Sequence, residues 1–248
     1  MPRFFITGSP SCGESVALAG EDGRHIARSL RMQAGESLTL CNGEGMDFLC
    51  EITAVIGEEA VVVVKQTQPS QGEPSLWVTV YQALPKLDKM DSIAQKIVEA
   101  GASQLVPVLT SRCISRPDEK AAHKKQERWQ KIAEEAAKQC GRGRIPQVSP
   151  LQPFARAIEQ AAQEGEVILF YEGGGQSLAD LVGKDSRQIS IFIGPEGGFS
   201  PEEVALAKQH GARIGSLGPR IFRTETAPVA ALAAMMLASG NLEGGGSP

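Results

Sequence analysis

From Leu76 onward, short apolar runs of strand type alternate with longer runs of helix type. The predicted strands are residues 76–82, 104–109, 166–171, 189–193 and 213–217. The predicted helices are residues 89–100, 119–140, 153–163, 201–210 and 227–239. The fourth helix has the clearest start, because Ser200 suits the N-cap, Pro201 the first position and Glu203 the third. This alternation predicts an α/β fold with a mainly parallel sheet covered by helices.

Two of these strands end in glycine-bearing loops. Strand 189–193 runs into Gly194-Pro195-Glu196-Gly197-Gly198, and strand 213–217 runs into Gly218-Pro219-Arg220-Ile221-Phe222-Arg223-Thr224-Glu225. Open α/β sheets bind ligands at the carboxyl ends of their strands, so the two loops predict a ligand site. The alternatives are an ordinary strand-to-helix connection for the first loop and a surface ion network for the second.

The glycines indicate which kind of ligand this site takes. Glycine lets backbone amides approach a ligand closely. The chain contains neither the GxGxxG dinucleotide fingerprint nor the GxxxxGK[ST] phosphate loop. The first loop therefore suits a nucleoside cofactor that is held largely by backbone groups.

Residues 1–73 have a different pattern and predict a small β-rich domain. Strands are predicted at 38–40, 47–55 and 60–65, which are rich in β-branched residues. One short helix is predicted, with Asp22 as its cap and Gly35 at its end. Residues 68–74 contain breakers and no periodicity, so they predict a linker.

The predicted short helix carries a basic face. Arg24, Arg28 and Arg31 fall at positions i, i+4 and i+7, while Ile26, Leu30 and Ala34 fall on another face. Such a face is usually solvated surface. Residues 1–74 hold five basic and ten acidic side chains, however, so a basic face here is also a candidate for phosphate contacts.

The net charge of −4 does not by itself suggest a nucleic-acid partner, but the charge is unevenly distributed. Residues 112–144 hold ten basic and five acidic side chains. Arg142 and Arg144 lie in a Gly-Arg-Gly-Arg segment that predicts a flexible, exposed, RNA-binding loop. The run 112–128 has two interpretations, an RNA contact and a solvated helix face, because its glutamates can pair along a helix. With two Trp and two Tyr, phosphate contacts would outweigh base stacking.

Several protein classes are disfavoured. No apolar run of about 18 residues occurs, so no membrane span is expected, and the first residues lack a signal-peptide pattern. The five scattered cysteines indicate reduced thiols in the cytoplasm rather than disulfides or a zinc site, and the three isolated histidines predict no metal. The glycine-rich tail, residues 243–248, is predicted to be disordered.

The loop motifs resemble those of the bacterial 16S rRNA uridine-N3 methyltransferases of the knotted SPOUT class. That family ends roughly in IGPEGG and LGPRILRTETA, which match residues 193–198 and 217–227, with Phe222 in place of leucine. Other matches follow in order along nearly the whole chain: Arg24-His25-Ile26 with Leu30-Arg31, Lys86 with Gln95-Lys96 and Glu99-Ala100-Gly101, and residues 136–146.

The resemblance implies two domains: residues 1–73 as a PUA-like RNA-binding β-barrel, and residues 74–242 as a SPOUT methyltransferase domain. The second domain would contain a C-terminal trefoil knot near residues 165–240 and would form a homodimer. Helix 227–239 carries an apolar stripe that predicts core or dimer interface: Val229, Leu232, Ala233, Met236 and Leu237. The alternation of strands and helices does not by itself indicate a knot, because knots are nearly absent from proteins.

The resemblance also implies a reaction, the transfer of a methyl group from S-adenosylmethionine to N3 of a uridine in 16S rRNA of the small ribosomal subunit. The cofactor-binding residues would be Phe170, Gly194, Pro195, Gly197, Gly198, Leu217, Gly218, Ile221 and Thr224. In catalysis, Glu225 would accept the N3 proton, Arg223 would stabilise the deprotonated ring and Thr224 would position a ligand. The RNA would be bound by Arg24, Arg28, Arg31, Arg142 and Arg144.

Two other functions stay open from the sequence. One is a non-catalytic ribosome-assembly factor that binds RNA through its basic face. The other is a 2′-O-ribose RNA methyltransferase of the same broad class, which is less favoured because no Asn-containing motif with an arginine occurs between Leu76 and Gly101.

Overall fold

Two separate β-sheets organise the chain in the computed structural model, which describes residues 1–242. The chain divides into two units. The first comprises Met1–Glu73 and Ala137–Ile145, and the second comprises Pro74–Ala136 and Pro146–Pro248. The predicted boundary at residue 73 agrees with the first division, but the return of residues 137–145 to the first unit was not anticipated. The tail whose disorder was predicted lies outside the described residues.

The first unit is built on a five-stranded mixed sheet in the order β1-β3-β4-β5-β2. β1 pairs parallel with β3, and the other pairs are antiparallel. The three predicted strands are confirmed as the long ones, whereas β1 and β2 are too short to show a clear alternation. The strands are β1 (Arg3–Phe5), β2 (Ser15–Leu18), β3 (Ser37–Cys41), β4 (Met46–Ile56) and β5 (Glu59–Pro69).

Alternating residues of these strands form the core of the first unit. In β5, Ala60, Val62 and Val64 are buried, and between them Val61 and Val63 are only partly covered. They pack in one cluster with Leu38 and Phe48 of the neighbouring strands. A period of two that buries one face is what fixes the register of such a sheet.

The helical segment of the first unit differs from its prediction. Helix α1 (Gly20–Arg24) follows Ala19 without any side-chain cap, so Asp22 is not the cap. The segment continues as a π-helix, His25–Leu30, and ends at Arg31, which adopts left-handed backbone angles at φ 53°. Gly35 therefore does not end the helix. Because a π-helix bonds i to i+5, the spacing of 3.6 residues per turn used for the prediction does not apply.

Residues 68–74 are not a free linker. Gln68 and Pro69 are the last residues of β5. The Gly72 backbone lies so close to residue 141 that an added Cβ would stand 2.7 Å from the Gly141 carbonyl oxygen. The linker prediction was therefore wrong in this part, because strand pairing and a close backbone approach hold the segment.

Glu73 holds the returning segment 137–145 in the first unit. Its Oε1 accepts hydrogen bonds from the backbone N–H groups of Gly143 (2.8 Å) and Arg144 (2.9 Å). Its Oε2 accepts one from Arg142 Nη2 at 2.8 Å. The Arg142 side chain is only 4% exposed. The prediction that Arg142 is flexible and exposed was therefore wrong, because the Glu73 carboxylate holds its guanidinium.

The second unit contains an eight-stranded, wholly parallel sheet in the order β11-β13-β10-β12-β6-β7-β8, with β9 also paired to β7. This confirms the α/β prediction. The strands are β6 (Trp77–Ala83), β7 (Gln104–Leu109), β8 (Gln147–Val148), β9 (Gln152–Pro153), β10 (Glu166–Phe170), β11 (Gln176–Ser177), β12 (Gln188–Ile193) and β13 (Arg213–Ser216).

The helices of this unit agree with the prediction within about one residue at most ends. Only α5 was missed, because a single turn shows no periodicity. The helices are α2 (Lys89–Glu99), α3 (Glu119–Cys140), α4 (Phe154–Glu164), α5 (Leu178–Leu181), α6 (Pro201–Gln209) and α7 (Ala227–Ala238). None of the helices within residues 1–242 is both long enough and apolar enough to span a bilayer.

An aromatic cluster anchors helices α4 and α6 to the sheet. Tyr81 stacks on Phe192 with ring centroids 4.4 Å apart. Phe154 meets Phe192 edge-on at 5.8 Å and lies 5.5 Å from Phe199. Such pairs contribute beyond the area that they bury, so the cluster holds β6, β12 and the start of α6 in fixed relation.

Helices α2 and α7 pack against each other, and α7 also contacts β6. Of the predicted apolar stripe on α7, Leu232 and Met236 are buried, while Ala233 is exposed and Leu237 is 63% exposed. Core packing therefore accounts for only part of the stripe, and an apolar surface is left on α7.

Candidate active site

A cavity of about 800 Å³ opens at the carboxyl ends of β10, β12 and β13. β10 lies between the other two strands in the sheet, so the loops that follow β12 and β13 face each other across its end. The lining consists of residues 170–172, 174, 193–198 and 216–224, with Lys89 and Ala227. The structure thus brings together the two loops that the sequence singled out, at the sheet edge where ligands bind in α/β folds.

Every residue assigned to cofactor binding lines this cavity: Phe170, Gly194, Pro195, Gly197, Gly198, Leu217, Gly218, Ile221 and Thr224. Of the residues assigned to catalysis, Arg223 and Thr224 also line it. Glu225 lies just behind the lining, where it pairs with Lys89.

Two glycines of the first loop have a physical reason to be glycine. A Cβ added at Gly194 would stand 3.1 Å from the Gly198 Cα. Gly198 has φ +65°, and a Cβ there would collide with the carboxylate of Glu172. The loop is therefore folded tightly on itself and leaves its backbone at the cavity wall, as a backbone-held ligand requires.

Thr224 joins the two loops. Its Oγ1 donates a hydrogen bond of 2.7 Å to the Gly194 carbonyl oxygen and accepts one of 3.1 Å from Gln82 Nε2. Thr224 is 5% exposed, and Gln82 is fully buried. Because the one hydroxyl proton is used on Gly194, the group is not free to donate to a ligand. Sequence reasoning missed Gln82, which stands 142 residues before Thr224.

Lys89, the first residue of α2, makes a second connection between the loops. Its Nζ lies 3.0 Å from Glu196 Oε1 and 3.1 Å from Glu225 Oε2. The Glu196 carboxylate also accepts a 3.2 Å hydrogen bond from the backbone N–H of Lys86. We call Lys89, Glu196 and Glu225 the loop clasp. Sequence reasoning noted Lys86 but missed Lys89, whose only signal was its place at the predicted start of a helix.

The contacts of the loop clasp shift the pKa values of all three side chains. Burial would raise the pKa of the Glu225 carboxyl, but its own backbone N–H and the Lys89 ammonium outweigh burial and leave the pKa below its ordinary value of 4.5. The pKa of Glu196 is lowered by the same kinds of contact against the same opposing burial. Hydrogen bonds to Glu196 and Glu225 raise the pKa of Lys89. Glu225 is therefore ionised at neutral pH and has little affinity for a proton.

Arg220 and Arg223 give the cavity mouth its positive charge. Both line the cavity and both are exposed. The Arg223 carbonyl oxygen accepts the backbone N–H groups of Thr226 (2.8 Å) and Ala227 (2.9 Å), which fixes the chain where α7 begins. The backbone of Arg223 is thus held at the cavity, and its exposed guanidinium adds positive charge there.

The first loop is also supported from behind. Arg112 Nη1 donates a 2.7 Å hydrogen bond to the Gly197 carbonyl oxygen. Ser200 and Glu203 cap α6 reciprocally, and Glu203 also accepts the backbone N–H of Ser111 at 2.7 Å. The predicted capping box is confirmed, and it ties the end of the loop to the segment that follows β7.

The candidate RNA-binding residues of the first unit differ in their surroundings. Arg24 and Arg28 both reach Glu58, at 3.9 Å for Arg24 and in closer contact for Arg28. Arg31 lies beyond the π-helix and is exposed, as is Arg144. Of the residues predicted on the other face, Ile26 is buried, whereas Leu30 and Ala34 are exposed.

Comparison with known proteins assigns both parts of the chain. A family model for an RNA methyltransferase domain matches residues 72–236, and one for an RNA methyltransferase PUA domain matches residues 18–65. Ribosomal RNA small subunit methyltransferase E of Bacillus subtilis (strain 168) is 33% identical over 95% of this chain and 96% of its own. The Mycobacterium bovis protein of the same name is 31% identical over 94% of this chain and 90% of its own.

Solved structures give the same result. A ribosomal RNA small subunit methyltransferase E from Neisseria gonorrhoeae, bound to S-adenosyl methionine, matches with a TM-score of 0.86 and 33% identity, over 96% of this chain and 97% of its own. A Legionella pneumophila protein in complex with the bound cofactor SAM matches with a TM-score of 0.80 and 32% identity, over 95% and 97% of the two chains.

Proposed function

This chain belongs to the ribosomal RNA small subunit methyltransferase E family, and we propose that it methylates N3 of a uridine in 16S rRNA. It is an S-adenosylmethionine-dependent RNA methyltransferase with a PUA-like domain. The observation that supports the proposal most directly is the cavity in which both glycine-bearing loops meet beside an arginine-rich mouth.

The cavity fits S-adenosylmethionine. Its volume of about 800 Å³ lies within the range of ligand pockets, ~300–1,000 Å³. The tightly folded loop at Gly194 and Gly198 offers backbone groups to the nucleoside, and the lining residues Phe170, Leu217 and Ile221 offer apolar surface to the adenine. When bound, the cofactor supplies an activated methyl group on a sulfonium.

The nucleophile needs more help from the protein than the methyl donor does, because uracil N3 carries a proton and is a poor nucleophile until that proton leaves. We assign the stabilisation of the deprotonated ring to Arg223, whose guanidinium lies at the cavity and is always charged. The proton passes to solvent rather than to Glu225, whose lowered pKa makes it a weak base. Glu225 instead positions Lys89 and the second loop.

In the transfer itself, the sulfur–methyl bond breaks, its electron pair stays on sulfur, and a bond forms between the methyl carbon and N3. Thr224, Gln82 and the loop clasp keep the two loops at fixed spacing, which serves the alignment of nucleophile and methyl. N3 lies on the pairing edge of uracil, so the target base must be unpaired when it reacts.

The substrate is held through phosphates. Arg31 and Arg144 are exposed on the first unit, and Arg24 and Arg28 become available where RNA phosphates compete with Glu58. The buried Arg142 is left out of this set.

The exposed Ala233 and Leu237 of α7 are the apolar surface through which the methyltransferase domain would form a homodimer. We propose that the enzyme acts in the cytoplasm, because its proposed substrate belongs to the small ribosomal subunit.

Nucleoside mass spectrometry of 16S rRNA tests the proposal. RNA from cells that lack this gene should lose one N3-methyluridine, and the purified protein with S-adenosylmethionine should restore it. A methyl group found on a ribose 2′-oxygen would instead support the 2′-O-methyltransferase alternative. Tight cofactor binding without any methyl transfer to small-subunit RNA would support a non-catalytic assembly factor.

A further inference from the structure

The charges that line the cavity are unbalanced. Five charged side chains line it: Lys89, Arg220, Arg223, Glu172 and Glu196. The Glu196 carboxylate is already occupied by Lys89. The basic groups therefore outnumber the acidic ones, and a cationic ligand would meet repulsion over much of this surface.

Glu172 is the exception. It follows Phe170 and Tyr171 at the end of β10, the strand between the two loop-bearing strands. Its carboxylate lies against the Gly198 backbone, where a Cβ would collide with both of its oxygens. Within residues 1–242, neither an ion pair nor a hydrogen bond engages this carboxylate. A negative charge is thus placed on the cavity wall with no protein cation to neutralise it.

We propose that Glu172 determines specificity for the charged cofactor over the spent one. The inference rests on the proposed function, since it concerns the ligand of the same cavity. S-Adenosylmethionine and S-adenosylhomocysteine share the adenosine, the ammonium and the carboxylate. They differ in one methyl group and in the positive charge on sulfur, which methyl transfer removes. The attraction of Glu172 for that charge favours the cofactor before the reaction and disappears afterwards, so the product leaves more readily.

The expected size of the effect follows from the exposure of Glu172. The side chain is exposed, so the effective dielectric constant lies between that of water and the ~20 typical of a protein surface. We expect Glu172 to contribute a preference of about tenfold for S-adenosylmethionine over S-adenosylhomocysteine, which corresponds to about 1.4 kcal/mol.

Isothermal titration calorimetry tests this without any reaction. The dissociation constants of S-adenosylmethionine and S-adenosylhomocysteine are measured for the full-length wild type and for Glu172→Gln. Glu159→Gln is the matched control, because Glu159 is exposed on α4, outside the cavity lining, and the change in net charge is the same. We expect Glu172→Gln to weaken S-adenosylmethionine about tenfold and to leave S-adenosylhomocysteine nearly unchanged, while Glu159→Gln changes neither.

The other outcomes are equally informative. An equal loss for both ligands would overturn the proposal, because Glu172 would then recognise a group that they share, such as the ammonium or a ribose hydroxyl. No change for either ligand would overturn it as well. If the wild type bound neither ligand, the proposed function itself would fail. If the wild type bound both ligands with the same preference as Glu172→Gln, only the role of Glu172 would be overturned.

Discussion

The hydroxyl of Thr224 donates to the carbonyl oxygen of Gly194 at 2.7 Å, and this contact directly joins the loop after β13 to the loop after β12. Gln82 Nε2 donates a hydrogen bond of 3.1 Å to the oxygen of the same hydroxyl, which leaves the hydroxyl proton for Gly194. A cofactor held by backbone groups of both loops depends on their spacing. The contact therefore links a buried side chain of the sheet to the shape of the ligand site.

Thr224→Val should uncouple the loops without changing the volume of the side chain. Valine removes the donor to the Gly194 carbonyl oxygen and leaves Gln82 Nε2 with only its bond to the Ala83 carbonyl oxygen, so we expect a loss of about 1–3 kcal/mol in the free energy of unfolding. Cofactor affinity should also fall, measured by calorimetry. Thr226→Val is the control, because Thr226 is exposed and its side chain caps nothing. Equal stability and affinity in the two variants would mean that the contact has no such role.

Gly198→Ala should be costly for two separate reasons. The residue has φ +65°, where a side chain is strained, and its Cβ would displace Glu172. We expect about 1–3 kcal/mol of lost stability and at least a tenfold loss of S-adenosylmethionine affinity. Gly183→Ala is the matched control, because its φ is ordinary and a Cβ there meets nothing within 4 Å. An unchanged affinity in folded Gly198→Ala would remove this loop from the site.

Lys89→Met should destabilise the protein in a way that depends on pH. The pKa values of Glu196 and Glu225 are lowered in the folded chain. Such groups stabilise the fold above their unfolded pKa of about 4.5, and this stabilisation is lost as the pH falls through the folded value. The raised pKa of Lys89 acts at the other end, and its contribution is lost only as the pH rises above 10.5. The stability difference between wild type and Lys89→Met should therefore be constant near neutrality and shrink below pH 4.5.

Urea denaturation at pH 3, 4, 5 and 7 measures that difference. Lys96→Met, on the exposed side of α2, serves as the control and should show a small difference at every pH. A difference for Lys89→Met that stays the same down to pH 3 would contradict an ionic clasp.

Glu58→Gln should strengthen RNA binding. Glu58 pairs with Arg24 and Arg28, and these guanidinium groups would otherwise face phosphates. Freeing them should increase affinity and steepen the dependence on salt, whereas Arg31→Ala should flatten it by up to about 0.9 units, one phosphate contact. Fluorescence anisotropy with a small-subunit RNA fragment at several salt concentrations measures both. Glu59→Gln is the control for the change in charge. Unaltered slopes in all variants would make these residues ordinary solvated surface.

Whether a feature can be predicted from the sequence depends on how far apart along the chain its interacting residues lie. Helix α6 was predictable because Ser200 and Glu203 lie three residues apart and form their own cap. The two loops were predictable because parallel strands bring their carboxyl ends to one edge. The contacts of Gln82 and Lys89 were not predictable, since each depends on partners more than 100 residues away. The predicted trefoil knot and homodimer stay predictions.

Two predictions from local sequence patterns did not anticipate tertiary contacts or an irregular backbone. The Gly-Arg-Gly-Arg segment has the composition of a flexible loop, but Glu73 binds its backbone and buries Arg142. The basic face of the short helix was predicted from regular α-helical spacing, which does not hold in the π-helix His25–Leu30.

Arg223 and Glu225 are two residues apart but differ in environment, and this predicts opposite behaviour in catalysis. Arg223 is exposed at the cavity, whereas the Glu225 carboxylate is paired with Lys89 and has a lowered pKa. Single-turnover rates with saturating cofactor and RNA should fall about 10²-fold or more in Arg223→Gln, a loss typical of one preorganised donor. Arg223→Lys should recover only part of the rate, because it restores the charge without the planar fork. Arg220→Gln is the matched control for a lost arginine at the cavity mouth.

The pH dependence of the same rates separates the two roles. If Arg223 lowers the pKa of uracil N3, the rate of Arg223→Gln should keep rising to higher pH than that of the wild type, because the ring must ionise unaided. Glu225→Gln should lose stability but keep the wild-type pH profile, since a paired carboxylate of lowered pKa is a poor proton acceptor. The reverse result, a slow Glu225→Gln that high pH rescues beside a nearly unaffected Arg223→Gln, would make Glu225 the base and exclude the assignment proposed for Arg223.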